Sequence, residues 1–303
     1  MTALLTTLGG KIPDTWVSLL LLPGLLFTSV ATAGRLLGHS HPFDLHRLLH
    51  RINDLAGDPA LSAPGTVALA TVLALTASAG ISLLAASLAG TVERLWLGDW
   101  PSPLAGTARA LTRRRGHRWT TAQERYRTAL TARARHAVSG GTGAAPPDTT
   151  ALNEARNRIS PARPRRPTWM GDRLVAVDTR VHEAYDLDLG SAWPRLWLLL
   201  PDTPRNDVQA ARTALTSAAR QAAWGVLYTV PALWWWPAAL IAPLICAGAW
   251  RKGRLAVGYF AELVEATVDI HGRDLATALG ISCEDRLTRE NGLEITRTLR
   301  KGT

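Results

Sequence analysis

Four histidines lie close together in the first polar segment, where their imidazole nitrogens are potential metal ligands: His39, His41, His46 and His50. The last two have the i, i+4 spacing that can place two zinc ligands on one face of a helix. The aliphatic residues among them also follow a helical repeat, at Leu45, Leu48, Leu49 and Ile52. This pattern is typical of an amphipathic helix at a membrane interface. We therefore interpret the histidines as half-polar surface residues and predict no metal site.

Carboxylates accompany histidine at two further places, a combination that also occurs in catalytic sites. The first group is His182, Glu183, Asp186 and Asp188, and the second is Glu262, Glu265, Asp269, His271 and Asp274. Acids at a helix end usually cap it, and the second group indicates the solvent face of a helix, within reach of arginines. Phosphate-loop, serine-hydrolase, zinc-protease and dinucleotide motifs are missing from the sequence. We predict no catalytic residues, no cofactor and no enzymatic activity.

Arginine supplies most of the positive charge of the chain. There are 34 basic and 24 acidic residues, for a net charge of +10, and residues 101–171 carry a net charge of +11. A basic segment next to a membrane typically contacts anionic lipid. We predict such a lipid-surface or partner-protein contact for Arg109, Arg113, Arg114, Arg115 and Arg118. Nucleic acid is not the expected partner, since only Trp119 and Tyr126 are interleaved and no recognised module surrounds them.

Three long segments contain no charged residue: residues 16–34, 65–92 and 222–250. Each reaches the roughly 18–20 residues that a helix needs to cross a bilayer. These segments predict an integral membrane protein. The first could instead be a cleaved signal peptide, because Lys11 precedes it and Ala31-Thr32-Ala33 resembles a cleavage site.

Charge asymmetry predicts the orientation. Residues 35–64 have three arginines and three aspartates, in contrast to the basic region after the second apolar segment. By the positive-inside rule, the middle region is cytoplasmic and the protein is a multi-pass protein of the plasma membrane.

The third apolar segment has basic residues on both sides, which a single span would place in different compartments. A helical hairpin would keep both flanks in the cytoplasm, with its turn at Trp234, Trp235, Trp236 and Pro237. Tryptophan favours membrane interfaces and proline interrupts helices. We therefore favour the hairpin over a single span.

Small residues recur every four positions along the second apolar segment, at Ala70, Ala74, Ser78, Ser82, Ala86 and Gly90. Helices in lipid associate through such faces because their backbones can approach closely. The stripe therefore predicts a helix-packing face, either within the chain or between copies of it.

The remaining sequence predicts an all-α protein with four regions: residues 1–98, 99–221, 222–250 and 251–303, with linkers at 139–150 and 160–167. The apolar residues 193–200 are expected to pack on the membrane surface or on soluble helices. An amphipathic helix over 255–279 is expected to bury the stripe formed by Leu255, Tyr259, Leu263, Ala266 and Ile270.

Three segments carry a resemblance to known sequences: DRLVAVDTRVHEAYDLDLGSAWPRLWLLLPDT, LWWWPAALIA and VDIHGRDLATALG. They resemble a group of uncharacterised multi-pass membrane proteins of high-GC actinobacteria. The resemblance covers most of the chain. It implies a membrane location but no activity, since that group has no established function.

Two functions remain as hypotheses at this point. The first is a membrane-anchored scaffold or interaction protein whose basic cytoplasmic helices contact the leaflet or a partner protein. The alternative is an oligomeric pore-forming effector or channel subunit assembled through the small-residue face. The lack of charged residues inside the apolar segments favours the scaffold, because ion pathways usually contain such residues.

Overall fold

The computed structural model describes residues 22–59, 63–140 and 147–300, and within these ranges it contains helices and no strand. The predicted all-α fold is confirmed. The described α-helices are α1 (Leu22–Leu37), α2 (Leu45–Gly57), α3 (Pro64–Leu97), α4 (Ala105–Val138), α5 (Thr149–Ile159), α6 (Trp169–Tyr185), α7 (Leu189–Leu199), α8 (Asp202–Leu227), α9 (Pro237–Ala278) and α10 (Arg289–Arg300).

Short polar side chains start several of these helices. Asp44, Asp148, Thr168 and Asp188 each accept a hydrogen bond from a backbone N–H in the first turn of the helix that follows. Such caps satisfy donors that have no partner inside the helix. The aspartates of the acidic group at 182–188 include one of these caps, as expected for acids at a helix end.

The chain forms two compact units. Unit 1 consists of Met1–Val92 and Thr216–Arg251, and unit 2 consists of Glu93–Leu215 and Lys252–Thr303. Helices α3, α8 and α9 contribute residues to both units.

The core of unit 1 forms where α1, α3, α8 and α9 meet. Its buried residues include Phe27, Ala85, Leu227 and Ala242. The ring of Phe27 contacts the ring of Tyr228 edge-on, with centroids 5.2 Å apart. Aromatic edge-to-face contacts of this kind add to the stabilisation that burial provides.

The core of unit 2 forms between α6, α7, α10 and the second half of α9. The largest completely buried side chains in this cluster include Val181, Leu187, Leu196, Leu275 and Ile295. The apolar residues 193–200 therefore pack through Leu196 on other helices of unit 2, in line with one of the two expected outcomes.

The predicted buried face of α9 is not the one that the structure buries. Leu255, Tyr259 and Ile270 are 75%, 52% and 69% exposed, while the opposite face of the same helix is buried. That buried face consists of Val257, Ala261, Val264 and Val268. Both faces are apolar at helical spacing, so periodicity alone could not distinguish the face that has a partner.

Three apolar segments predicted membrane crossings, and the described structure supports one of them. Of the helices in the described ranges, only α3 is long and apolar enough to cross a membrane. Helix α1 is apolar but has 16 residues, and the start of the first apolar segment lies outside the described residues. The third apolar segment is divided between α8 and α9. Helix length and composition are thus compatible with one crossing, and do not show the multi-pass fold.

Candidate membrane-contact surfaces

Helix α3 exposes most of its apolar surface. In its most apolar window of 18 residues, only 11% of the residues are buried. The exposed large side chains are Leu69, Val72, Leu73, Leu83 and Leu84. A helix in the core of a soluble protein would bury most of such a window, so this surface is suited to lipid.

The small-residue stripe on α3 is used only in its middle within the chain. Ser78 and Ser82 are buried, whereas the outer members of the stripe are exposed, namely Ala70, Ala74, Ala86 and Gly90. The predicted packing face thus has an occupied centre and two open ends in the described part of the chain.

The occupied centre packs against α1 at a glycine. A Cβ atom added to Gly24 would lie 2.8 Å from Ser82 Oγ and would collide with the carbonyl group of Ser78. One turn further along α1, the hydroxyls of Thr28 and Ser78 are 3.3 Å apart. Gly24 and Thr28 therefore meet Ser78 and Ser82, so that small residues four apart on one helix face small residues four apart on the other. This is the close-approach packing that favours helix association in lipid.

The third apolar segment turns back on itself. Between the end of α8 and the start of α9, the chain passes through a short 3₁₀ helix at Pro231–Leu233. The two helices then contact each other: a Cβ atom added to Gly225 would lie 2.5 Å from Cys246 Sγ. The segment therefore has the geometry of a helical hairpin in unit 1.

We predicted the hairpin turn at a run of tryptophans, and two of these tryptophans attach the turn to α1 and to the loop after α1. Trp234 donates its indole N–H to the carbonyl of Ala31 at 3.2 Å, and Trp235 donates to the carbonyl of Pro42 at 3.0 Å. Trp236 is 42% exposed, and Pro237 is the first residue of α9. Three indoles with an apolar body and a polar edge at one end of the hairpin match the preference of tryptophan for membrane interfaces.

The basic surface of unit 2 lies on α4. Eight of its arginines are exposed and have no ion pair to any described residue. One of them, Arg133, donates a hydrogen bond to Thr149 of α5. The other seven are Arg109, Arg113, Arg114, Arg118, Arg125, Arg127 and Arg135. At 100° per residue they occupy about half of the helix circumference. The opposite side, which includes Trp119, faces α5 and the chain that follows it. Arg118 and Arg125 lie at the edge of the arginine side, next to α5. We call these seven residues the arginine face, and Glu124 is the acid that accompanies them.

Arg115, which we predicted as a surface contact, has a different role. Its guanidinium lies 2.6 Å from the carboxylate of Asp172, whose side chain is 3% exposed. The same guanidinium donates hydrogen bonds to the carbonyls of Ile159 and Arg166 at 2.6 and 2.8 Å. Arg115 therefore joins α4, the segment after α5 and α6, and it is not available to lipid or to a partner.

A second, half-buried arginine lies close to this group. The guanidinium of Arg254 lies 4.3 Å from the ring centre of Trp169, in cation–π geometry. Burial, and then the positive charge of Arg115, lower the pKa of Arg254. The side chain remains a cation because an arginine pKa starts so far above neutrality.

The acidic groups form ion pairs and hydrogen bonds within unit 2. Arg180 donates two hydrogen bonds to Glu265, and Arg173 lies 3.2 Å from Glu262. Tyr185 donates its hydroxyl to Asp269 at 2.8 Å. Burial, and then this hydrogen bond, raise the pKa of Tyr185. The acids of α9 thus bind α6, in line with the expectation that they could pair with arginines.

The histidine groups do not form a ligand cluster in the described residues, where no three metal-binding side chains converge. His46 and His50 stack edge-on, with ring centres 4.6 Å apart. His39 bonds to the carbonyl of Leu233 at 3.0 Å. His39 therefore contacts the hairpin turn, and His46 and His50 contact each other.

Sequence analysis missed a groove in unit 2. Trp193, Trp197 and Phe260 line an open cavity of about 670 Å³, with Arg212 at its polar side. The guanidinium of Arg212 is paired with Glu93 at 2.5 Å. The tryptophans at 193 and 197, one helical turn apart, were the only sequence signal for this groove.

Comparisons with known proteins add no relative. No family model, no curated protein and no solved structure matches the chain. Function is therefore inferred from the surfaces alone.

Proposed function

We propose that the protein is a non-enzymatic, membrane-anchored scaffold whose arginine face binds an anionic surface. Helix α3 would supply the anchor, because its exposed apolar side chains need a lipid environment. The observation that carries the proposal is the arginine face itself, which extends over about 39 Å of helix at 1.5 Å per residue. The inner leaflet of a plasma membrane is the expected anionic surface, and an acidic protein partner is the alternative for the same face.

The expected affinity follows from the charges. Each basic residue near an anionic leaflet contributes about 1 kcal/mol. Loss of three arginines should therefore lower the docking equilibrium by roughly 100-fold, since 1.4 kcal/mol corresponds to a factor of ten. The contribution of the arginines to docking should weaken as salt is added, because the electrostatic screening length falls from about 10 Å at 0.1 M to about 3 Å at 1 M.

Energy transfer in nanodiscs tests this docking with the full chain. A donor dye is attached at His117→Cys after both native cysteines are replaced by serine, and the acceptor is carried on lipid headgroups. Transfer should increase with the fraction of phosphatidylserine and decrease in high salt. The test variant replaces Arg113, Arg114 and Arg118 with glutamine.

A matched variant controls for net charge. It replaces three exposed arginines elsewhere in unit 2, namely Arg273, Arg286 and Arg297, with glutamine. This variant should retain the dependence on lipid charge that the test variant loses. Two results would exclude the leaflet as the target of the arginine face. One is the same energy transfer in both variants, and the other is energy transfer that does not change with lipid charge or salt.

Topology has its own test. The charge distribution supports a cytoplasmic location for unit 2, whose Cys283 is a half-buried free thiol. A membrane-impermeant thiol reagent should label Cys283 only after cells are opened. Labelling in intact cells would place this part of the chain outside and contradict the proposed orientation.

The alternative function, an oligomeric pore or channel subunit, is favoured by one observation. The outer members of the small-residue stripe, such as Ala74 and Ala86, are exposed and could pack against another copy. A pore predicts loss of membrane potential on overexpression, relieved by Ala74→Leu. Unchanged potential would exclude a constitutive pore.

A further inference from the structure

Helix α2 in unit 1 presents an apolar face that the rest of the described chain leaves mostly uncovered. Four of the five large aliphatic residues on this face are strongly exposed, namely Leu45 69%, Leu49 58%, Ile52 46% and Leu55 49%, and the fifth, Leu48, is half-buried. No residue of α2 is buried. At 100° per residue these four side chains fall within about a third of the circumference, the width of a core-facing stripe.

The loop before α2 continues this apolar surface. Phe43 is 69% exposed, and its ring contacts Trp236 of the hairpin turn edge-on, with centroids 5.9 Å apart. Trp235 bonds to the carbonyl of Pro42 in the same loop. The apolar face of α2 is therefore attached to the part of unit 1 that carries the interfacial tryptophans.

Covalent connectivity restricts where α2 can lie. Helix α2 ends at Gly57 and α3 begins at Pro64. Seven peptide links span at most about 25 Å, at 3.3–3.6 Å for each residue. If α3 crosses a bilayer, the end of α2 is confined to within about 25 Å of the point where the chain enters it.

Charge distinguishes this surface from the arginine face. Within α2, Arg47 and Arg51 are accompanied by Asp54, and Asp44 and Asp58 flank the helix. The segment is close to neutral, so attraction to anionic lipid cannot be its main source of affinity. Apolar insertion, which does not depend on headgroup charge, remains as the source.

We propose that α2 lies in the plane of the leaflet surface, with Leu45, Leu49, Ile52 and Leu55 inserted among phospholipid chains, and that zwitterionic lipid is sufficient. The proposal rests on the proposed membrane anchoring by α3. The apolar face of α2 differs from the arginine face because its binding needs no anionic lipid and does not depend on salt.

Site-specific quenching tests the inference in the full chain, reconstituted in phosphatidylcholine nanodiscs. Both native cysteines are replaced by serine, and one environment-sensitive dye is attached at Leu49→Cys, at Asn53→Cys on the polar face, or at Leu73→Cys in α3. Lipids brominated in the acyl chain quench dyes that enter the bilayer. Leu45→Cys serves as a second probe of the apolar face.

The expected result is loss of emission at positions 49, 45 and 73, retention at position 53, and no change when salt is raised. Emission retained at 49 and 45 with loss at 73 overturns the α2 inference and leaves the membrane anchor intact. Emission retained at all four positions overturns the anchor and the inference together. A disulfide dimer formed through position 49 on oxidation would identify a second copy as the occupant, which also overturns the inference.

Discussion

Replacement of Arg115 by methionine should destabilise unit 2, because it leaves the carboxylate of Asp172 without its cation. Asp172 is 3% exposed and also accepts hydrogen bonds from the backbone N–H groups of Arg165 and Arg166 at 2.8 Å. Those two bonds would remain after the substitution. The buried charge would lose its counterion, and the carbonyls of Ile159 and Arg166 would lose a donor.

The cost follows from measured behaviour of buried pairs. Removal of one partner typically costs 3–5 kcal/mol, since an uncompensated charge stays buried. Arg115 is 16% exposed, so some water can reach the site, and we expect a cost near the lower end, about 3 kcal/mol. That is a large part of the roughly 5–15 kcal/mol by which a domain is usually stable.

Hydrogen exchange of the full chain in detergent micelles provides the assay. Amides in α4, α5 and α6 should exchange roughly 100-fold faster in the variant, because 1.4 kcal/mol corresponds to a factor of ten. Arg114→Met is the matched control: its side chain is exposed in the same helix and should change stability by less than about 0.5 kcal/mol. The double variant Arg115→Met, Asp172→Asn should recover part of the loss.

Two outcomes would refute this reasoning. If Arg115→Met and Arg114→Met exchange at the same rate, the pair does not hold the three segments together. If the double variant loses as much stability as the two single variants added together, or more, the two side chains do not stabilise each other.

Three further changes test other contacts. Gly24→Ala should separate α1 from α3 in unit 1, because the added Cβ would meet the backbone of α3. Protease cleavage of α1 measures this separation and should become faster. Asp188→Asn keeps the helix cap but removes the charge paired with Arg300. Burial acts to raise the pKa of Asp188, but hydrogen bonds from Arg300 and a serine outweigh it, and the pKa is lowered. Trp235→Phe should cost about 1 kcal/mol, the usual net value of one hydrogen bond, in thermal unfolding.

Each change has a comparison that isolates its cause. Gly80→Ala meets nothing within 4 Å and should leave the protease pattern unchanged. For Asp188, a lowered pKa means stability that is present above the unfolded pKa of about 3.9 and is lost as pH falls through the folded value. The difference in melting temperature from Asp188→Asn should therefore shrink on acidification, and a constant difference would contradict the charge effect. Trp236→Phe, with no indole bond in the described contacts, should cost less than Trp235→Phe.

The sequence determined the class of structure and the positions of its breaks. Helices start and stop at residues whose effect is local. These residues are the aspartate and threonine caps and the prolines at 231 and 237, which bound the uncharged apolar segments and the other helices. The absence of alternating apolar residues excluded sheets in the same way. The helical assignment therefore needed no knowledge of contacts between distant residues.

Tertiary structure alone decided which of several similar surfaces is used. Helix α9 has two apolar faces. The face with Val264 is buried because α6 and α7 lie on that side, while Leu255 stays exposed. Arg114 and Arg115 are adjacent in sequence, yet only Arg115 reaches Asp172. The small residues of α3 are equivalent by spacing, but only Ser78 and Ser82 meet Gly24. In each case the physical reason is the same: burial and pairing depend on a partner that arrives from a distant part of the chain.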